Sequence, residues 1–163
     1  MNIARTAMSL VGFVLLTGCA MAPRAPETPA AQSVACHPVT EAQVAGLFER
    51  WNDSLQTGNP HAVVANYAER SILLPTLSNK PRISAAEKDE YFEHFLENQP
   101  SGKIDFRFIE LGCNAAFDAG LYTFTFRKTG DRVAARYTFT YAWDGRQWLI
   151  TSHHSSLMPE HKP

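Results

Sequence analysis

Gly120-Leu-Tyr-Thr-Phe-Thr-Phe-Arg127, Ala135-Arg-Tyr-Thr-Phe-Thr-Tyr-Ala-Trp143 and Trp148-Leu-Ile-Thr-Ser-His-His-Ser-Ser156 lie in the last third of the chain. All three runs are rich in aromatic and β-branched residues, which suit a pleated, half-buried surface. Thr129-Gly130-Asp131 and Asp144-Gly145 separate them and supply the punctuation of tight hairpins between antiparallel strands. Strand alternation puts Tyr137, Phe139, Tyr141 and Trp143 on one face, and Arg136, Thr138, Thr140 and Ala142 on the other. The aromatic set is expected on an outer, self-associating face. The smaller hydroxyl set, with Arg136 among it, is expected to line a cavity.

Upstream of this sheet the pattern is helical. Thr40-Glu-Ala-Gln43 is a capping box, followed at helical spacing by Val44, Leu47, Phe48, Trp51 and Leu55 until Gly58 stops the run. Asn59-Pro60 starts a short second helix whose apolar side is Val63, Val64 and Tyr67. Ser71-Ile-Leu-Leu74 reads as a short strand ended by Pro75. A second capping box, Ser84-Ala-Ala-Glu87, opens a third helix presenting Tyr91, Phe92, Phe95 and Leu96. Lys103 to Leu111 and Asn114 to Phe117 complete the strands. Helices followed by a run of antiparallel strands make an α+β fold with helices on one face of a curved sheet.

With 163 residues, 45% of them hydrophobic and ten of them Phe, the chain can build one genuine core. A formal charge of -1 gives no field to draw it onto nucleic acid, which is not expected as a partner. Arg5 precedes the apolar run Met8 to Leu16, too short to span a bilayer, and Leu16-Thr-Gly-Cys19 resembles a bacterial lipobox. The expected organisation is a lipoprotein signal peptide at 1–18, a Pro/Ala-rich tether at 19–35 and a domain at 36–163. Cys19 would carry the lipid, anchoring the protein in the cell envelope, at the outer membrane facing the periplasm. The remaining Cys36 and Cys113 form an even pair in an oxidising compartment, either a disulfide or two buried thiols.

The element order, with Trp51-Asn-Asp-Ser-Leu-Gln-Thr-Gly58, Leu74-Pro-Thr76, Tyr91-Phe92 and Asp144-Gly-Arg-Gln-Trp148, resembles the nuclear transport factor 2-like superfamily. Within it the chain is most similar to the association-domain family of calcium/calmodulin-dependent protein kinase II, in free-standing bacterial form. The resemblance implies a cone-shaped curled antiparallel sheet with three N-terminal helices packed on its concave face, a pocket within the cone, and an outer face used for homo-oligomer contacts. Neither a kinase domain nor a calmodulin-binding segment stands in the chain.

Candidates for chemistry are single residues. Arg136 among small hydroxyl residues is either a fork for a carboxylate or half of a salt bridge. Thr138, Tyr91, Tyr122, Arg82 and His154 are the other candidate ligand-binding residues. Tyr91 and Tyr122 fit a pocket mouth or the core, and Arg70 and Arg82 flank the Pro75-Thr76 loop. His153 and His154 are adjacent on a strand, so at most one enters a pocket. Asp118 is a candidate base of the isomerase or dehydratase kind, or a turn former beside Ala119-Gly120. No His, Cys or carboxylate pair stands at metal-ligand spacing, no phosphate loop or nucleophile elbow is present, and no cofactor is expected. The preferred reading is a lipid-anchored oligomeric module holding a small organic anion. The alternative is an acid/base isomerase, dehydratase or cyclase using Asp118, His153 or His154.

Overall fold

Thr40 accepts the Gln43 amide at 3.2 Å while the Gln43 side chain reaches back to the Thr40 amide at 2.8 Å, so the predicted capping box starts helix α1, Glu41–Gln56. This is a computed structural model, and it describes residues 35–159. Asn59 caps α2, Pro60–Val64, and the Ser84/Glu87 box caps α3, Ala85–Leu96. The strands are β1, Tyr67–Leu74; β2, Pro100–Leu111; β3, Ala115–Phe126; β4, Arg132–Trp143; and β5, Trp148–Leu157. The expected signal peptide, the expected lipidation site Cys19 and most of the expected tether lie outside the described residues.

The five strands form one curled, open sheet in the order β1-β5-β4-β3-β2. Four of them pair antiparallel as expected, with Gly130 and Gly145 at positive φ in the two hairpin turns. The edge strand β1 differs, since it runs parallel to β5, placing Leu73 beside His153 and Leu74 beside His154. Tyr67 belongs to this strand and not to the second helix, because α2 closes at Val64.

The sheet faces are the reverse of the expectation. Tyr137, Phe139 and Tyr141 are buried, and Arg136 is exposed with its guanidinium donating to the Leu157 carbonyl at 3.2 Å. The physical reason is α1, whose Val44, Phe48, Trp51 and Leu55 recur on one face and need a wide apolar partner. The aromatic rows of β4 meet it, with Trp51 and Phe139 ring centroids 5.3 Å apart at 62°. Thr138 and Thr140 therefore face away from the helices.

Residues 115–126 form one continuous strand, so Asp118-Ala119-Gly120 is not a turn. Gly120 is required there by close approach: a Cβ would sit 2.0 Å from the Phe106 carbonyl oxygen, where β2 bulges. At the start of the described chain, Cys36 and Cys113 are joined by a disulfide with Cα atoms 4.9 Å apart. The His37 ring stacks on Trp143 at 3.7 Å, and Asn114 hydrogen-bonds both the His37 amide and the Ala35 carbonyl.

Candidate functional site

A cavity of about 380 Å³ opens between α3, the 75–82 loop and the inner face of the sheet. Its walls are aromatic and aliphatic, among them Phe92, Phe95, Phe124 and Phe126, and its polar groups converge from β3, β5, α3 and the 75–82 loop. The arrangement follows from the pleat of β5. Trp148 and Ile150 point inward, and simple alternation would continue with Ser152, His154 and Ser156. An irregularity at Thr151, where Thr140 pairs with Ser152 but Tyr141 pairs with Ile150, resets the phase. His153 and Ser155 therefore turn inward, while His154 is exposed on the outer face.

Ser155 is the centre of a buried hydroxyl chain. The Tyr122 hydroxyl donates to Ser155 Oγ at 2.6 Å, and Ser155 is hydrogen-bonded in turn to Thr76 Oγ1. Tyr122 pairs with Ala135 on β4, and Tyr137 pairs with Ser155 on β5. The small Ala135 side chain lets the Tyr122 ring reach over β4 to the next strand. Thr76 comes to the same point because β1 runs parallel to β5 and ends at Leu74, two residues before it. Burial pushes the Tyr122 hydroxyl well above its ordinary pKa, so it stays a donor at any physiological pH.

Beside this chain lies the His153 ring, stacked on Phe139 at 4.0 Å and edge-on to Trp51 at 5.1 Å. Its Nδ1 is 2.9 Å from the Tyr67 hydroxyl, and its Nε2 has no hydrogen-bond partner among the described residues. Burial, helped by the neighbouring His154, lowers its pKa to about 3, so the ring is neutral near pH 7. With Tyr67 donating to Nδ1, the proton of the neutral ring sits on Nε2, which becomes a donor.

Arg82 and Tyr91 also line this cavity. Arg82 Nη1 donates to the Lys80 carbonyl at 2.9 Å, and its guanidinium carbon lies 5.9 Å from the Tyr91 ring centroid. Burial raises the Tyr91 hydroxyl to about 12. Of the residues singled out from the sequence, the structure thus gathers Arg82, Tyr91, Tyr122 and His153. It places Arg136, Thr138 and His154 on the opposite sheet face, and Arg70 lines a separate groove. Asp118 is fully buried elsewhere, 3.0 Å from Arg107 Nε and accepting from the Tyr137 hydroxyl at 2.7 Å. Burial raises its pKa against the pull of both partners, and it does not line the cavity. Sequence reasoning missed Tyr67, Thr76 and Ser155 as site residues. The available signal was that Thr76 follows the Leu-Pro pair and that Ser155 stands two residues after His153.

An inward-curled sheet with helices on its concave side and a mixed apolar and hydroxyl-lined cavity is the architecture of nuclear transport factor 2-like proteins. Solved structures agree: an NTF2-like protein from Pseudomonas putida KT2440 superposes with TM-score 0.65 at 15% identity, covering 75% of this chain and 89% of that one. The iota-carbonic anhydrase from a cyanobacterium, solved with bicarbonate, gives TM-score 0.68 at 18% identity, covering 80% and 99%. The chain belongs to the calcium/calmodulin dependent protein kinase II association domain family, whose profile matches residues 40–159. A Xanthomonas campestris structure assigned to this family is 47% identical, with TM-score 0.69, covering 78% of this chain and 96% of its own. No curated protein sequence matches the chain.

Proposed function

We propose that the cavity binds bicarbonate and carbon dioxide and interconverts them. The observation that carries this reading is the Tyr122–Ser155–Thr76 hydroxyl chain beside a neutral, inward-facing His153. Such an array suits a small oxygen-rich substrate that is apolar on one side of the reaction and a monoanion on the other. The likeness in fold to a carbonic anhydrase solved with bicarbonate supports it.

In the hydration direction the water oxygen forms a bond to the carbon of carbon dioxide, and one C–O π pair moves onto the substrate oxygen. His153 Nε2–H and a hydroxyl of the chain stabilise that oxygen as charge develops. The water proton leaves through the hydroxyl groups, each of which accepts one proton as it gives up another. The apolar walls keep bulk water from competing for these hydrogen bonds.

Stopped-flow hydration of carbon dioxide with a pH indicator tests the reading, on protein dialysed against a chelator. Wild-type protein is expected to accelerate the reaction, with Ser155→Ala and Tyr122→Phe lowering kcat/KM about tenfold to a hundredfold. Wild-type rates equal to the buffer blank would overturn it. A second reading rests on the cavity volume, which is in the range used for drug-sized ligands and larger than bicarbonate requires. On that reading a bulkier organic carboxylate fills the aromatic walls with its anion toward Arg82. A rise in melting temperature with aromatic carboxylates but not with bicarbonate would favour it.

The sequence features before the domain support a location in the cell envelope. Leu16-Thr-Gly-Cys19 supports lipid attachment at Cys19 and a periplasmic location. The outer sheet face presents Phe106 and Phe108, 57% and 54% exposed, next to Phe117 and Leu121, and supports self-association there.

A further inference from the structure

We propose that His94 carries the proton between the cavity and bulk buffer, an inference that rests on the carbon dioxide reading above. Hydration releases one proton per turnover, and the inner cavity has nowhere to keep it. The Tyr122 and Tyr91 hydroxyls are held protonated by burial, and the His153 ring takes up a proton only near pH 3. Serine and threonine hydroxyls relay protons without storing them. Passing it to buffer therefore calls for a side chain that can both take up and release a proton, standing where the cavity meets water.

The rim of the cavity supplies one. His94, in the last turn of α3, lines the cavity while its side chain is 76% exposed. Its Nδ1 lies 3.3 Å from Glu97 Oε1. With Nδ1–H donating to that carboxylate, the lone pair of the ring is on Nε2, available to accept a proton and release it to buffer. The other charged groups lining the cavity are Glu90, one turn earlier on the same helix, and Arg82 of the 75–82 loop. Carboxylates and guanidinium groups as classes change charge far from neutrality, which leaves the imidazole as the carrier. The step balances: the proton lost by the attacking water passes along the hydroxyls to His94 Nε2, and the imidazolium then protonates a buffer base.

The test compares wild-type and His94→Ala protein in stopped-flow hydration at low and high buffer concentration. His61→Ala serves as a control, since this exposed histidine lies on another groove. In dilute buffer His94→Ala is expected to lose about tenfold or more in kcat with kcat/KM nearly unchanged. Added imidazole or concentrated buffer is expected to restore kcat, which a merely structural loss would not allow. Active wild-type protein with His94→Ala at full kcat in dilute buffer, or a deficit that imidazole fails to rescue, overturns this inference and leaves the carbon dioxide reading standing. Wild-type protein inactive in every buffer overturns both.

Discussion

Burial of the His153 ring links the site to the stability of the whole domain. Its folded pKa is lowered to about 3, whereas in an unfolded chain it titrates near the ordinary histidine value of about 6.5. Between those values the unfolded state binds the extra proton, so stability rises with pH across that window and is lost as pH falls through it. Each pH unit costs on the order of 1 kcal/mol there. His153→Gln is expected to flatten the acid limb of urea-unfolding stability between pH 6 and 4, and an unchanged slope would show that other groups govern it. At this scale the sequence announced that one of two adjacent histidines points inward but not which. Extrapolation from the inward Ile150 favours His154, and only the extra residue at Thr151 turns His153 and Ser155 into the cavity. A bulge is set by pairing with a neighbouring strand, so it leaves little trace in the strand's own residues.

Among the elements, helices were the most legible, since both capping boxes and the i, i+4, i+7 spacing of Val44, Phe48 and Trp51 are local signals. The alternation of β4 was equally plain, yet its two faces were assigned the wrong way round. Periodicity separates Tyr137, Phe139 and Tyr141 from Arg136, Thr138 and Thr140 without saying which set meets α1, and the concave face turned out to be mostly core with a cavity at one end. The same limitation hid the continuity of β3, where Asp118-Ala119-Gly120 looks like a turn and is instead a strand pressed against the bulge of β2. Gly120→Ala places a methyl group against the Phe106 carbonyl, a backbone atom with little freedom to yield. Chemical denaturation is expected to show a loss of about 3 kcal/mol, and a change under 0.5 kcal/mol would mean that β2 relaxes freely at that point.

For the molecule as a whole, the disulfide closes a separation of 77 residues, for which chain entropy gives roughly 4 kcal/mol. It fastens the first described residues to the end of the sheet where β3 starts, away from the cavity walls formed by Phe124 and Phe126. The proposed anchor and the proposed self-contact make one joint prediction. Palmitate-analogue labelling is expected to disappear in Cys19→Ser, while the soluble domain scatters light as a dimer that Phe108→Glu converts to monomers. Labelling that survives Cys19→Ser would remove the anchor, and a wild-type monomer at all concentrations would remove the self-contact. One consequence of the strand order concerns time rather than space. The last strand, β5, lies between β1 and β4, so the first strand to be synthesised has no neighbour in the sheet until the last has emerged. Thr76 and Ser155 likewise meet only at the end. A chain emerging in order could pair β2, β3 and β4 early, but β1 would join the sheet only once residue 157 is free, in a late step dominated by distant pairing.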